Sequence, residues 1–577
     1  MKRKLTAIGF NCLCAIFLLL SGSAVFAGVR LPAIFGDNMV LQRNIKVPIY
    51  GWAEIGEKIQ IDFMGKTYAT TTGADGKWLV KLGSYKAGGP YEMRIGSKSF
   101  TLTLKNILIG DVWLASGQSN MEFGIQTEQH GAEAITKATD TQIHFFYVPM
   151  IQSLLPQQDI AKVPEDSPNG KWMVCSPELL GNPKFAWHGF SAVGYYFAQH
   201  IRKATGVPVG MIASYKGGTP AQAWISLEGL QYSPSFTKYI DDHQKLVDHY
   251  EDAKATYPQR QALYKDSLAQ WNTEVGNDFA VTLKQWEVAN AQAAAAGQPL
   301  PIRPKPSRPA PHAPADPDGG FNAPTNCYNA MIAPILRYGI KGVIWYQGES
   351  NGDRLADAVE YKELFPRLIY DWRAQWQQGD FPFLFVQLPN FRTPAVTPSE
   401  GIWPWVREAQ FKTLAVQGTG MPVITDVGDR VNIHPTNKVD PAYRLALVAR
   451  HVAYGENLVY SGPVYKSMRV EGNKIIISFD EINKGLVVGR PSPDGTISTD
   501  SKELKGFGIA GADQKFVWAK AVIDGNTVVI SSDQVSNPIA VRYNWADNPP
   551  GNLYNKDGLP AGPFRTDSWP APLQVMH

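Results

Sequence analysis

Cysteine is scarce in this chain, which has four among 577 residues. Cys12 and Cys14 lie in an apolar N-terminal segment, so only Cys175 and Cys327 belong to the rest of the sequence. These two could form a disulfide in an oxidising compartment, and two buried free thiols are the equal alternative. Since no group of cysteines and histidines has ligand spacing, we expect neither a structural zinc site nor any other metal or cofactor.

A surplus of charge is also missing. The chain has 55 Lys and Arg against 52 Asp and Glu, and Lys2, Arg3 and Lys4 belong to the N-terminal segment, which leaves 52 against 52 in the remainder. A neutral balance provides no attraction to nucleic acid or to an anionic membrane surface. Substrates bound through hydrogen bonds and ring stacking are the better match, because 16 Trp, 24 Tyr and 25 Phe supply stacking surfaces.

Long apolar runs are absent after the N-terminal segment. The run from Ile8 to Leu20 follows the basic start and is shorter than the roughly 20 residues that a spanning helix needs. Val25-Phe26-Ala27 then offers the small residues of a cleavage site. We therefore interpret residues 1–27 as a cleaved signal peptide and expect a periplasmic or extracellular protein without stable membrane insertion.

The remaining sequence falls into three regions that differ in the pattern of their apolar residues. Residues 28–106 consist of short runs that alternate apolar with polar residues between turn signals, which predicts an N-terminal β-sandwich. In residues 107–455, apolar strand-like runs alternate with helix-like segments such as Ala192 to Lys203 and Glu360 to Trp376, which indicates an α/β domain with a mainly parallel sheet. Short strand-like runs between turn signals occur again in residues 456–577, and they predict a C-terminal β domain.

Residues 232–317 interrupt the α/β pattern. The first part, 232–297, is charged, rich in alanine and helix-favouring, with Trp271 and Trp286 as expected packing residues. The second part, 299–317, is dense in proline and should be extended. We interpret the insertion as a helical hairpin followed by a stiff return strap. It is a structural flap or, alternatively, a lid over the substrate.

Four short segments carry candidate chemistry, and the first is Gly117-Gln118-Ser119-Asn120-Met121, directly after a predicted strand. A serine at a strand-to-helix turn can lie above the carboxyl edge of a parallel sheet. Its own backbone N–H can then face a developing oxyanion. Taken alone, a serine at the start of a helix is commonplace.

The second and third segments also follow predicted strands. Gly217 and Gly218, in the second segment Tyr215 to Trp224, allow a close backbone approach, so one of their N–H groups could be a second oxyanion donor. Taken alone, an ordinary tight turn explains this segment better. The third segment, Trp345 to Asn351, contains Gln347 and Glu349. Gln347 offers a side-chain N–H to an oxyanion. An ionised Glu349 can only accept hydrogen bonds and could orient neighbouring groups.

The fourth segment, Asn432 to Lys438, contains His434. A neutral histidine is the usual general base for a serine hydroxyl, whose own pKa is far too high for ionisation. Other histidines occur in the chain, and a lone histidine in such a loop is more often structural. The segment therefore gains its meaning only together with the other three.

In this order, and each at a strand end, the four segments resemble the SGNH hydrolases and, within them, the sialate O-acetylesterase family of carbohydrate acetylesterases. The resemblance extends over nearly the whole chain after the signal segment and includes residues 31–42, 109–113 and 328–334. It implies an SGNH-type parallel-sheet hydrolase domain flanked by β-sandwich-like regions. The implied substrate is an O-acetylated carbohydrate.

Carried over to matching positions, the resemblance implies that Ser119 is the nucleophile and His434 is the base that later protonates the leaving sugar oxygen. The implied oxyanion donors are the N–H of Ser119, Gly218 and Gln347, with Gly218 chosen over its neighbour Gly217. Asn120, Glu349 and Asn432 would support these groups or the substrate.

One position departs from the family pattern. SGNH enzymes usually have an aspartate three residues before the histidine, whereas position 431 here is Val. Asn432 could orient the imidazole through its amide oxygen. Alternatively, Asp429, Asp426 or a backbone carbonyl could do so. We hypothesise a Ser–His dyad with an orienting group that is not a carboxylate.

The family resemblance favours a sialate 9-O-acetyl substrate, with acetylated xylan or xyloglucan as the alternative. Sialic acid has a carboxylate that Arg354 or Arg407 could recognise, whereas a neutral plant sugar would stack on aromatic side chains such as Trp224 or Trp403. A non-catalytic glycan-binding protein is a further hypothesis, but it predicts a degraded nucleophile segment, and that segment is intact.

Overall fold

The computed structural model describes residues 28–573 except 99, 186, 188, 297, 300, 399–400, 492–496 and 499–501. The predicted signal peptide therefore lies outside the described residues. The strands of the described N-terminal residues are β1 Val40–Gln42, β2 Pro48–Trp52, β3 Lys58–Phe63, β4 Lys66–Thr71, β5 Lys77–Lys81, β6 Gly88–Gly96 and β7 Thr101–Gly117.

The middle of the described chain contains helices and further strands. The helices are α1 Ser119–Glu122, α2 Gly131–Thr136, α3 Pro177–Leu180, α4 Ala192–Thr205, α5 Leu227–Leu230, α6 Thr237–Trp271, α7 Asn277–Ala295, α8 Leu355–Trp376, α9 Trp403–Thr413 and α10 Val439–Val452. The strands are β8 Ile143–Tyr147, β9 Trp172–Val174, β10 Val209–Tyr215, β11 Gly342–Tyr346, β12 Phe383–Phe385 and β13 Thr419–Gly420.

The C-terminal region is again composed of strands. They are β14 Val464–Glu471, β15 Lys474–Asp480, β16 Leu486–Val488, β17 Arg490–Pro491, β18 Ile497–Ser498, β19 Phe507–Ala510, β20 Val517–Trp518, β21 Lys520–Asp524, β22 Thr527–Ser531, β23 Ala540–Tyr543, β24 Leu553–Asn555 and β25 Phe564–Arg565. Two four-stranded sheets, β14-β15-β22-β21 and β20-β19-β23-β25, hold most of them. The sandwich arrangement of the two flanking regions stays a prediction.

The central sheet has the order β13-β12-β11-β7-β10-β8-β9. Its neighbours pair in parallel except β9, which is antiparallel to β8. Alternate residues of β7 point to opposite faces, so Val112 and Leu114 join the core beneath α8, while Trp113 and Ala115 join the core beneath α4 and α10. Helices thus cover both faces, and the predicted α/β architecture is confirmed.

Strand β7 connects the N-terminal strands to the central sheet. Its first half pairs antiparallel with β6, and its second half pairs in parallel with β10 and β11. The boundary that we expect between residues 106 and 107 falls inside this continuous strand. The one long strand therefore joins the two regions through backbone hydrogen bonds as well as through side-chain packing.

The predicted helical hairpin is wrong. A single turn of π-helix, Asn272–Gly276, joins α6 to α7 without reversing the chain, so both form one continuous helix. The proline-dense strap takes the place of the second helix. Trp271 Nε1 donates to the carbonyl oxygen of Arg308 at 2.8 Å, and Trp286 Nε1 donates to that of Pro301 at 3.0 Å. Both tryptophans thus pack as expected, but against the extended strap.

Three other expectations can be compared with the fold. Cys175 and Cys327 are both free and buried, as in the free-thiol alternative. Helix α8 begins at Leu355, before the predicted start at Glu360, and continues through Pro366. Among the residues that the structure describes, no helix is long and apolar enough to cross a membrane.

Candidate active site

The carboxyl ends of three neighbouring strands form the base of the site. Gly117, the last residue of β7, pairs with Tyr215 of β10 on one side and Tyr346 of β11 on the other. Gly117 has φ +132°, and a Cβ at this position would overlap the carbonyl oxygen of Tyr346. Only glycine therefore fits where the chain turns from β7 into α1, which starts at Ser119.

Ser119 and His434 are brought together at this edge although 315 positions separate them. Nε2 of His434 lies 2.9 Å from Oγ of Ser119, and the serine is only 8% exposed. Burial, together with the nearby Lys438 ammonium, lowers the pKa of His434 to about 4. The imidazole is therefore neutral at neutral pH and can accept the hydroxyl proton.

Among the described residues, none of the three side chains proposed to orient the imidazole forms a hydrogen bond with it. Asn432 Oδ1 accepts a hydrogen bond from the backbone N–H of His434 at 2.9 Å. Asp429 Oδ1 accepts from the backbone N–H groups of residues 431 and 432, at 2.7 and 2.9 Å. Asp426 forms a two-pronged ion pair with the guanidinium of Arg444. The first two shape the loop, and the third anchors α10.

An aromatic ring contacts the imidazole instead. The Trp187 ring lies edge-to-face against His434, with 4.6 Å between ring centroids and an interplanar angle of 84°. The same indole contacts the ring of Phe123 at 5.5 Å. Trp187 is partly exposed, so it also offers an apolar surface beside the base. Sequence reasoning missed it because it belongs to none of the four segments.

The choice between Gly217 and Gly218 follows from their backbone partners. The N–H of Gly217 donates to Oε2 of Glu122 at 2.6 Å. Gly218 is exposed with φ +75°, and its N–H has no acceptor among the described residues. Of the two, Gly218 is the one whose N–H is available to an oxyanion.

Glu122 is a second residue that sequence reasoning missed. It lies three positions after Ser119, its side chain is buried, and burial raises the pKa of its carboxyl. Because its Oε2 holds the N–H of Gly217, it ties α1 to the glycine turn after β10. Its position directly after the first segment was the available signal.

The side chain of Gln347 is fully buried and already bonded. Its Nε2 donates to Oδ1 of Asn351 at 2.8 Å and to the carbonyl oxygen of Thr219 at 3.3 Å, and its Oε1 accepts from the hydroxyl of Tyr361 at 2.8 Å. Gln347 thereby connects the ends of β10 and β11. Its role as an oxyanion donor stays a prediction and would require one N–H to exchange its partner.

Asn120, which follows Ser119, meets Glu349 and the residue before His434. Nδ2 of Asn120 donates to Oε1 of Glu349 at 2.6 Å and to the carbonyl oxygen of Ile433 at 3.1 Å. Oδ1 of Asn120 accepts from Nζ of Lys438 at 2.6 Å. Lys438 was missed although it ends the histidine segment, because a lysine four residues after a base is ordinarily read as a surface residue.

The four side chains predicted to contact the substrate differ in their burial and in their partners. Arg407 is fully buried and donates to backbone carbonyls in the 388–389 and 546–547 turns, so it cannot receive a substrate carboxylate. Arg354 has a 77% exposed side chain that is paired with Asp357. Trp224 and Trp403 are core residues with 0% and 1% exposure, so the expectation that they form stacking surfaces is wrong.

The chain is similar to a known family, to curated proteins and to a solved structure. The sequence model of a family described as carbohydrate esterase, sialic acid-specific acetylesterase, matches residues 318–432. The sialate O-acetylesterase of Mus musculus is 27% identical, over 93% of this chain and 94% of that protein. The sialate O-acetylesterase of Homo sapiens is also 27% identical, over 93% and 92%.

A solved structure is similar over the same extent. It is described as a novel carbohydrate acetylesterase from Xanthomonas citri, and it is 35% identical to this chain. The alignment covers 94% of this chain and 100% of that one, with a TM-score of 0.71. The likeness therefore includes the β-rich regions on both sides of the central sheet as well as the sheet itself.

Proposed function

Because this chain belongs to the sialate O-acetylesterase family of carbohydrate esterases, we propose that it removes acetyl groups from sugars with Ser119 as nucleophile and His434 as general base. The protein is an esterase, and its substrates are acetylated carbohydrates. The observation that carries the mechanism is the 2.9 Å separation of His434 Nε2 from Ser119 Oγ at the carboxyl edge of the sheet.

In the first half of the proposed reaction, Oγ of Ser119 attacks the acetyl carbonyl carbon while Nε2 of His434 takes the hydroxyl proton. Negative charge develops on the carbonyl oxygen, and the backbone N–H groups of Ser119 and Gly218 are the proposed donors that stabilise it. The ester C–O bond then breaks. The proton passes from His434 to the sugar oxygen, which leaves as a hydroxyl, and the acetyl group stays on Ser119.

In the second half, His434 takes a proton from water as the water oxygen attacks the acetyl-Ser119 carbonyl. The tetrahedral species collapses, the proton on His434 returns to Oγ of Ser119, and acetic acid leaves and ionises to acetate in solution. Both halves require a neutral imidazole at the start, and the lowered pKa of His434, about 4, supplies it.

The sugar is proposed on different grounds. Curated relatives named sialate O-acetylesterase support an O-acetylated sialic acid as the first candidate, for which we propose the 9-O-acetyl ester. An acetylated neutral sugar of plant xylan or xyloglucan is the second. It is favoured by the side chains, because Arg407 is held by backbone carbonyls, Arg354 is paired with Asp357, and Trp187 offers a ring face beside the base.

We also propose export through the N-terminal segment, so that the working enzyme is periplasmic or extracellular. The basic start and the short apolar run before Ala27 support this. N-terminal sequencing of protein recovered outside the cytoplasm should begin at Gly28. Recovery of the uncleaved chain in the cytoplasm alone would contradict it.

The main experiment compares the purified mature protein with its Ser119→Ala variant. Acetate release is measured first from 4-nitrophenyl acetate, then from 9-O-acetylated sialic acid and from acetylated xylan and xyloglucan oligosaccharides. We expect release from the aryl ester and from one of the sugar classes, abolished by Ser119→Ala. Absence of Ser119-dependent release from every substrate would overturn the proposed mechanism.

A further inference from the structure

The histidine loop, residues 429–438, has to hold His434 in place without a carboxylate on the imidazole. Among the described residues, Asn432, Asp429 and Asp426 all bond elsewhere. Edge-to-face contact with Trp187 restricts the tilt of the ring, but it does not fix the distance between the loop and Ser119. Another device must set that distance, because a displacement of about 1 Å at a reacting pair can cost about 10²-fold in rate.

Asn120 is the direct connection between the two catalytic segments. It follows Ser119 in the chain, and its Nδ2 donates at 3.1 Å to the carbonyl oxygen of Ile433, the residue before His434. A single carboxamide therefore links the backbone on either side of the catalytic pair. Its orientation decides whether that link exists.

The partners of Asn120 allow only one orientation of its amide. Oδ1 faces the ammonium of Lys438, which can only donate, and Nδ2 faces Glu349 Oε1 and the Ile433 carbonyl, which accept. Rotation of the amide by half a turn would place NH₂ against the ammonium and oxygen against oxygen. Lys438 and Glu349 thus lock the carboxamide from opposite sides.

Lys438 occupies a position that is costly for a cation. Its side chain is fully buried, with Nζ 4.5 Å from the ring centroid of Phe123, and burial lowers the pKa of the ammonium to about 7, opposed by the nearby carboxylates of Glu349 and Glu128. It also directly precedes α10, at the helix end where the backbone dipole disfavours positive charge. Groups kept in such unfavourable surroundings cluster at functional sites.

We propose that Lys438 is a positioning residue that, through Asn120 and with Glu349, holds the histidine loop against the nucleophile turn and so takes over the task of the missing aspartate. This rests on the proposed roles of Ser119 and His434. The charge of Lys438 has a second consequence. A cation beside the imidazole keeps it neutral into acidic solution, whereas an aspartate would favour the protonated ring.

Two substitutions of Lys438 distinguish the effect of its hydrogen bond to Asn120 from the effect of its charge on His434. Lys438→Met removes both the hydrogen bond and the charge, so kcat should fall about 10²-fold with KM changed less than about threefold. Lys438→Gln keeps an N–H donor toward Asn120 and should lose less kcat. Both should move the acid limb of the kcat/KM profile to higher pH, on the order of one pH unit, because the pKa of His434 rises once the cation is gone.

Lys341→Met is the matched control. Lys341 is partly buried and, like Lys438, lies over an aromatic ring, that of Tyr454 at 4.8 Å, but it precedes β11 at the opposite edge of the sheet. Its variant should keep the wild-type kcat and acid limb. Circular dichroism and thermal melting are recorded for all three variants, and rates are expressed per folded protein.

The outcomes are decisive for the proposal. A lower kcat in Lys438→Met together with an acid limb moved upward in both Lys438 variants supports it. A kcat within twofold of wild type in Lys438→Met, or an acid limb that stays in place in Lys438→Gln, overturns it. If Ser119→Ala turns over 4-nitrophenyl acetate as fast as wild type, the proposed function itself has failed, which is a separate result.

Discussion

The carboxyl edge of the central sheet, where Ser119 and His434 meet, and the 232–317 insertion are both rich in polar side chains, but these side chains have opposite environments. At the edge, Asn120, Gln347 and Glu349 are buried and bonded to residues far away in the chain. On the long helix, pairs such as Gln244 with Asp248 are exposed and lie one turn apart. Buried polar groups must find partners or lose their hydration energy, whereas exposed groups keep water as a partner.

The comparison teaches where substitutions should matter. A buried polar group at the edge orients several others, so its removal should propagate to the reacting atoms. An exposed pair on a helix contributes only a few tenths of a kcal/mol, so its removal should stay local. The following changes test this difference.

The largest effect is expected from the base. His434→Ala should lower kcat by at least about 10⁴-fold, because without a proton acceptor the Ser119 hydroxyl is a poor nucleophile. Acetate release from 4-nitrophenyl acetate measures it. His249→Ala, an exposed histidine of α6, should leave kcat unchanged. If the His434→Ala enzyme retains a tenth of the wild-type rate, His434 is not the general base.

Glu122 should have the next largest effect. Glu122→Ala leaves the Gly217 N–H without its acceptor, so the glycine turn shifts and the Gly218 donor moves with it. We expect kcat to fall about 10-fold to 10²-fold, because loss of a whole oxyanion donor costs about 10²-fold to 10³-fold. Glu251→Ala, exposed on α6, is the control. Equal rates for both variants would show that the turn needs no support from Glu122.

The pH profile should reveal the burial of the base. With a pKa of about 4, His434 is mostly neutral at pH 5, so kcat/KM there should stay within about twofold of its plateau. An imidazole at the ordinary value of about 6.5 would lose about 30-fold at pH 5. Acetate release between pH 4 and pH 8 distinguishes the two. An acid limb centred near pH 6.5 would contradict the burial and charge described for the site.

The smallest effect on catalysis is expected in the insertion. Trp271→Ala removes the hydrogen bond to the Arg308 carbonyl, so the strap should separate from the helix more often and be cleaved faster in limited proteolysis. The rate on 4-nitrophenyl acetate should stay within about twofold of wild type, because no hydrogen bond among the described residues joins Trp271 or Arg308 to Ser119 or His434. A loss of rate as large as that of Glu122→Ala would favour the lid interpretation.

Much of the site was readable from the sequence because motif residues follow strands. Ser119, Gly218 and Gln347 each come directly after an apolar run, and the ends of parallel strands meet at one edge. The contacts that surround these residues could not be predicted from the sequence. Trp187 lies outside every motif, and Arg407 and Trp403 looked like substrate contacts although α9 buries both.

The sequence by itself determined the α/β class, the alternation of core and surface along the strands and the four segments that converge, because periodicity and turn residues act locally. It also showed that the usual aspartate is missing. Only the tertiary structure decided which partner each buried polar group has. It joined the long helix to the strap instead of to a second helix, and it brought Lys438 to Asn120 across 318 positions of chain. Such pairings depend on the packing of distant segments, which no local pattern encodes.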